Sequence, residues 1–236
     1  MSELLTFGHA RFIADDNAEP ASPAQPKRLA LLAYLAVATR PGPARRDALL
    51  ALFWPELGEE EARRALRQAL HYLRRAAGDM FDASAEEVAL RGGALRCDAV
   101  EFERLADAGH AAEALELYRG DFLAGFHVPD VSAEYEDWVE RTRTRLRKKA
   151  AAAAWLAAES AEKRGESEPA IELARRACDL EPDRESGWRR LMSLYERVGD
   201  RASALRTFDE LSERLEREFD AKPSPETAMT TRPAAS

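Results

Sequence analysis

The sequence of 236 residues contains only two cysteines, Cys97 and Cys178. Two cysteines so far apart make neither a disulfide framework nor a metal knuckle, and the pattern around each is typical of a buried residue. We therefore expect two buried thiols in a protein of the reducing cytoplasm.

Long apolar runs are also missing. The one candidate, residues 29–38, is too short to span a bilayer. The residues before it include several acidic side chains, unlike the short cationic start of a secretion signal. We expect neither a membrane span nor secretion.

Catalytic motifs are absent as well. The sequence has no G-x-x-x-x-G-K-[ST] phosphate loop, no G-x-S-x-G nucleophile turn and no G-x-G-x-x-G dinucleotide loop. The histidines follow no metal-ligand pattern; they are His9, His71, His110 and His127. We predict that the protein is not an enzyme and uses neither cofactor nor metal.

What the sequence does have is charge, with 33% charged residues and a formal net charge of -8. Together with 45% hydrophobic residues and only 12 glycines, this composition indicates a folded, mainly α-helical protein rather than a disordered one. Acidic and basic residues balance up to Cys97, so the whole acidic excess follows it. Any nucleic-acid contact is therefore expected in the first part of the chain.

Residues 62–78 reverse that charge, since they carry five arginines and no acidic residue. On a helix, one stripe of this segment is apolar and predicted to be buried; it comprises Leu66, Ala69, Leu70, Leu73 and Ala77. The opposite side is predicted to face the major groove of DNA; it comprises Arg64, Arg67, Gln68, His71 and Arg75. Arginine and glutamine can each make two hydrogen bonds to a base edge, so we interpret residues 62–77 as a recognition helix. An ordinary amphipathic helix with a solvated arginine face is the alternative.

The order of elements around this helix is that of a winged helix-turn-helix. Short strands are predicted at 4–7 and 10–13, helices at 27–39 and 44–53, and a hairpin at 88–97 around Gly92 and Gly93. Further arginines of this part are predicted to contact phosphate; they are Arg45, Arg46, Arg63, Arg74, Arg91 and Arg96. Which side chains contact bases rather than phosphates stays open, and a core position is favoured for Trp54.

The second part of the sequence contains a helical repeat. A helix pair is predicted at 98–108 and 111–119, and a long helix follows Ser132, its expected N-cap. Gly165 and Gly199 are then separated by the period of 34 residues that is typical of tetratricopeptide repeats. The sequence therefore predicts a tetratricopeptide-like C-terminal domain.

Three runs in the first part resemble a known family. They are P-K-R-L-A-L-L-A-Y-L-A at 26–36, D-A-L-L-A-L-F-W-P at 47–55 and A-L-R-Q-A-L-H-Y-L-R-R at 65–75. They resemble the OmpR-type winged helix of the SARP-like (antibiotic regulatory protein) bacterial transcriptional activators. The resemblance implies that the helix at 63–75 enters the major groove, that the hairpin at 88–97 is the wing and that the loop at 54–58 is a transactivation loop.

The remainder resembles the bacterial transcriptional activator domain of the same family. The residues that carry this are Y-R-G-D-F-L at 118–123, W-x-x-x-x-R at 138–143 and P-x-P-E-T at 223–227. The predicted domains are a winged helix-turn-helix at 1–97, the activator domain at 98–229 and a disordered tail at 230–236.

These observations predict a sequence-specific DNA-binding transcription activator. Its expected partners are double-stranded promoter DNA with repeated half-sites, RNA polymerase and a second copy of the chain, since one small DNA-binding module gains little specificity alone. The alternative is a tetratricopeptide adaptor whose winged helix binds protein instead of DNA; an enzyme is the remote third possibility.

Overall fold

The structure is a computed structural model that describes residues 1–14, 25–38 and 42–230. It is mainly helical, as predicted. Two compact units divide the chain: Met1–Ala108 with Glu116–Leu146, and Gly109–Leu115 with Arg147–Ser236. The domain boundary expected after Cys97 stays a prediction, because a division into compact units does not mark where one domain of the sequence ends and the next begins. Of the predicted tail, only Thr230 lies within the described residues.

Two small sheets lie in the first unit. The first has the order β2-β1-β6 and consists of β1 (Ser2–Leu5), β2 (Arg11–Ile13) and β6 (Leu95–Cys97). β1 runs antiparallel to β2 and parallel to β6. The second has the order β3-β5-β4, all antiparallel, and consists of β3 (Ala44–Arg45), β4 (Phe81–Ala83) and β5 (Glu87–Leu90).

The hairpin predicted at 88–97 is wrong. Its two arms lie in different sheets, because β5 pairs with β4 whereas β6 pairs with β1. The observed hairpin is β4–β5, and its turn is closed by the Ser84 hydroxyl, which accepts hydrogen bonds from the amides of Glu86 and Glu87 at 3.2 and 3.0 Å. Gly93, with a φ of 75°, lies in the connection between the sheets.

Four helices complete the N-terminal part of the first unit: α1 (Pro26–Val37), α2 (Arg46–Phe53), α3 (Glu59–Ala77) and α4 (Asp98–Asp107). The apolar α1 forms the centre, with Leu31, Leu32 and Ala33 fully buried. α2 begins two residues later than predicted, because Ala44 and Arg45 pair with β5. The predicted end of α1 at Thr39 lies outside the described residues.

A buried carboxylate at the start of α4 holds the N-terminal strand in place. The two oxygens of Asp98 accept hydrogen bonds from the amide of Thr6 at 2.8 and 2.9 Å, and from its hydroxyl at 2.5 Å. They also accept from the amides of Phe7 at 3.0 Å and Ala99 at 2.7 Å. Four donors therefore converge on one side chain that is only 8% exposed.

The helix pair continues with α5 (Ala111–Leu117), and the long helix α6 spans Ala133–Lys163. Ser132 caps it as predicted, since its hydroxyl accepts a hydrogen bond from the amide of Tyr135 at 3.2 Å. Along its first turns Tyr135, Val139 and Leu146 are buried and Trp138 is half-buried, whereas Ala133 is exposed. The ring of Tyr135 packs 5.0 Å from that of Phe53 and completes the core.

The second unit contains the predicted repeat, built from α7 (Ser167–Leu180), α8 (Glu185–Arg197), α9 (Arg201–Phe219) and α10 (Pro225–Thr230). Gly165 and Gly199 precede α7 and α9 with φ values of 76° and 81°, a conformation that favours glycine. Trp188 is fully buried and packs with Leu191 and Leu211 in the core between the helices. The 34-residue period therefore marks equivalent turns and packing positions.

Candidate nucleic-acid interface

The two predicted faces of α3 are present. The apolar stripe is buried: Leu66, Ala69, Leu70 and Leu73 are between 1% and 4% exposed. The side chain of Ala77 lies outside what the structure describes. The predicted groove-facing side chains are all exposed; they are Arg64, Arg67, Gln68, His71 and Arg75. The helix therefore presents its long donors to the surrounding solvent.

α3 begins three residues earlier than predicted, with Glu59, Glu60 and Glu61 in its first turn. Acidic residues there stabilise the positive end of the helix dipole. The carboxylate of Glu59 also accepts a hydrogen bond from Arg63 at 2.5 Å, so Arg63 is partly neutralised in the DNA-free protein.

Arg46 of α2 lies close enough to two arginines of α3 for their charges to act on it, and we call the three the three-arginine cluster: Arg46, Arg67 and Arg74. Burial, followed by the positive charges of Arg74 and Arg67, lowers the pKa of Arg46. The Arg46 Nε donates a 2.8 Å hydrogen bond to the carbonyl of Ser84 in the hairpin turn, which fixes this guanidinium between α2 and the hairpin. Repulsion between the arginines makes the cluster a natural place for an anion.

The carboxylates near the hairpin offset part of this charge. Arg74 lies 3.6 Å from Asp79. Arg91 donates hydrogen bonds to Asp82 at 2.7 Å and Asp79 at 2.6 Å, and these two bonds raise its pKa. Arg91 is therefore held at the base of the hairpin.

The two remaining predicted phosphate contacts, Arg45 and Arg96, lie in different sheets. Arg45 is exposed in β3, opposite Glu87 in the β3–β5 register. Arg96 lies in β6, in the sheet that does not contain the hairpin, and its guanidinium is 3.8 Å from Glu3. The structure thus brings together Arg46, Arg67 and Arg74 but places Arg96 in a separate sheet.

Sequence reasoning missed one cationic residue beside α3. Arg28, in the first turn of α1, stacks on the ring of Tyr72 with its Cζ 3.7 Å from the ring centroid. Arg28 and Gln68 also line one surface pocket. No local pattern could have revealed the pair, because the two residues lie on different helices and are joined only by the tertiary fold.

Other predictions concern buried groups and absent features. Trp54 is 8% exposed and packs against Phe53, as expected of a core residue. Cys97 and Cys178 are free and buried, as predicted. Within residues 1–14, 25–38 and 42–230, no cluster of histidine, cysteine and carboxylate side chains is arranged to hold a metal. Among these same residues, no helix combines the length and apolar character that crossing a bilayer requires.

A winged helix-turn-helix followed by helical repeats is the architecture that these elements make. The family profile of the bacterial transcriptional activator domain matches residues 81–232. The chain therefore belongs to the bacterial transcriptional activator domain family, and its predicted resemblance to the SARP-like activators is confirmed.

Eight chains of solved structures match this one. Among them is Mycobacterium tuberculosis EmbR, solved in complex with a low affinity phosphopeptide, with a TM-score of 0.69 and 23% sequence identity. The match covers 98% of this chain and 63% of the EmbR chain, so this chain spans less than two thirds of its length. The likeness confirms the predicted fold class. No curated protein matches the chain.

Proposed function

We propose that the chain is a sequence-specific DNA-binding activator of transcription that inserts α3 into the major groove. One observation carries the proposal: the exposed face of α3 bears arginine, glutamine and histidine side chains, and the three-arginine cluster lies at its flank. Such donors suit base edges at the centre of a groove and phosphates at its margins.

The position of each side chain suggests a division of labour. Side chains opposite the buried stripe are proposed to read bases, namely Arg64, Arg67, Gln68, His71 and Arg75. Cations at the margins are proposed to hold phosphate, namely Arg45, Arg46, Arg63 and Arg74. Arg91 and Arg96 stay predictions as phosphate contacts. Arg91 already donates to the carboxylates of Asp79 and Asp82, so it brings less net positive charge to a phosphate than the other arginines.

The helical repeats are proposed to pair two protomers so that two α3 helices bind neighbouring half-sites. Linking two modules raises the effective concentration of the second and multiplies a modest specificity. RNA polymerase is the proposed further partner of an activator, with the loop at 54–58 as its contact.

Binding to DNA selected by the protein from a random-sequence pool tests the proposal. Arg67→Ala is expected to relax sequence preference. Arg46→Ala is expected to weaken selected and random duplexes alike and to reduce the salt dependence of binding. Arg201→Ala, a change of the same charge in the second unit, is the control. If no duplex is enriched over the random pool, the proposal is wrong; if Arg67→Ala and Arg46→Ala act alike, the division of labour is wrong.

The carboxylates around α3 favour one second candidate, a protein-binding adaptor. Glu60 and Glu61 at its start and Asp79 and Asp82 beside its end reduce the positive potential that DNA requires. EmbR was solved with a phosphopeptide, which is a protein-derived ligand. Retention of a defined protein partner together with no enrichment of any duplex would establish the adaptor instead.

A further inference from the structure

The cations of α3 are distributed unevenly around its axis. Helical spacing places Arg63 and Arg74 on one flank, between the buried stripe and the exposed face, and Arg67 where that flank meets the exposed face. The opposite flank carries no basic residue; it comprises Glu61, Ala65 and Tyr72. α3 alone therefore offers cations to one side of a groove but not to the other.

A helix in the major groove needs cations on both of its flanks. The groove is about 12 Å wide and a helix with its side chains is about 10–12 Å across, so each flank lies against one of the two phosphate backbones. Arg46 and Arg74 of the three-arginine cluster, together with Arg63, serve the first flank.

Arg28 supplies the missing cation on the second flank. Its guanidinium lies 3.7 Å from the centroid of the Tyr72 ring, and Tyr72 is 43% exposed on the flank that lacks a basic residue. Arg28 also lines a surface pocket with Ala65 of that flank and with Gln68 of the exposed face. A guanidinium stacked on an aromatic face keeps its N–H donors free at its edge for a phosphate.

We infer that Arg28, held in place by the ring of Tyr72, contacts the phosphate backbone on the side of the groove opposite the three-arginine cluster. This inference rests on the proposed function. α1, the central helix of the unit, thereby becomes part of the DNA interface, and Tyr72 acts as a positioning residue rather than as a reader of bases.

Salt titrations of the full chain test the contact, with duplexes that the unsubstituted protein enriches from a random-sequence pool and with the random pool itself. Arg28→Met, which keeps length but removes charge, is expected to reduce the slope of log K against log salt by about 0.9 and to weaken both probes by the same factor. Arg28→Lys, which keeps the charge, is expected to retain the slope. Arg201→Met, exposed in the second unit, is the charge-matched control.

A double-mutant cycle tests the role of Tyr72. Tyr72→Leu is expected to weaken binding when Arg28 is present and to add nothing in the Arg28→Met protein, whereas Tyr72→Phe keeps the ring and the affinity. Additive effects of Tyr72→Leu and Arg28→Met would overturn the positioning role. Enriched duplexes bound with an unchanged salt slope by Arg28→Met would overturn the contact alone, whereas failure to enrich any duplex would overturn the proposed function and this inference with it.

Discussion

Replacing Asp98 by alanine tests whether the N-terminal strand depends on one buried carboxylate. The change removes the acceptor of four donors, namely the amides of Thr6, Phe7 and Ala99 and the Thr6 hydroxyl. Each buried donor left without a partner costs about 1–3 kcal/mol, although water entering the new space recovers part of this. We expect a net loss of about 3–5 kcal/mol from the free energy of unfolding of the first unit.

Asp98→Asn separates charge from shape. One carboxylate oxygen accepts from both Thr6 and Phe7, and the other accepts from Thr6 and Ala99. The amide NH2 of asparagine therefore meets backbone N–H groups in either orientation. We expect about half the loss of the alanine variant, roughly 2 kcal/mol, because one acceptor oxygen remains.

Hydrogen exchange measured by mass spectrometry is the assay, because it reports each unit separately. A loss of about 3 kcal/mol corresponds to amide exchange roughly a hundredfold faster around residues 2–7, when exchange is limited by opening. Asp200→Ala is the control: Asp200 caps α9 through the amide of Ser203 at 3.0 Å and is exposed, so we expect a smaller effect, confined to the second unit. Equal effects of Asp98→Ala and Asp200→Ala on their own units would refute the reasoning.

Two further predictions concern the second unit and the thiols. A Cβ at Gly187 in α8 would lie 3.3 Å from the Trp155 ring. We expect Gly187→Ala to leave the free energy of unfolding nearly unchanged, since the higher helix propensity of alanine, about 1 kcal/mol, offsets the tight contact. Gly187→Val is expected to lower that free energy by about 2–3 kcal/mol, measured by urea unfolding. An equal cost for both variants would argue against a steric cause. Burial raises the pKa of both Cys97 and Cys178 from 9.0 to about 12, so a disulfide reagent at pH 8 should label them only after unfolding. Because the pKa of each thiol is higher in the folded state, the stability that the neutral thiols contribute is complete below pH 9.0 and is lost as the pH rises toward 12. A free energy of unfolding that does not change across this pH range relative to a double Cys→Ser variant would contradict this.

The faces of α3 could be predicted from the sequence because they follow from local periodicity. Leu66, Leu70 and Leu73 recur at helical spacing, and a stripe of that strength has one way to be buried. The turns at Gly165 and Gly199 were equally predictable, since the 34-residue period is a property of the sequence itself.

Strand pairing could not be predicted in the same way. Residues 88–90 and 95–97 flank Gly92 and Gly93 and satisfy the local rule for a hairpin, yet β6 pairs with β1. The pairing partner of β6 is decided by the position of β1 in the folded unit, and nothing between Val88 and Cys97 encodes that position. The two-residue strand β3 was missed because two residues show no alternation.

Charge partners were the least predictable part of the candidate interface. Arg91 and Arg46 look alike in the sequence, but Arg91 bonds to two carboxylates, whereas Arg46 lies among other arginines. The difference depends on neighbours from separate elements. The stacking of Arg28 on Tyr72 depends on the packing of α1 against α3 in the same way.

The parallel pairing of β1 with β6 also has a consequence for the order of events during protein synthesis. β2 follows β1 at once, but β6 ends at Cys97, about ninety residues after β1. The residues just after β1 have still later partners: the Leu123 amide donates to the Thr6 carbonyl at 2.7 Å, and the Gly8 amide donates to the Asp121 carbonyl at 3.0 Å. At about 5–20 residues per second, the ribosome needs roughly 6 to 24 s to make that stretch. The first unit therefore cannot close until a segment well beyond α3 has emerged, and until then one edge of β1 is open to other chains.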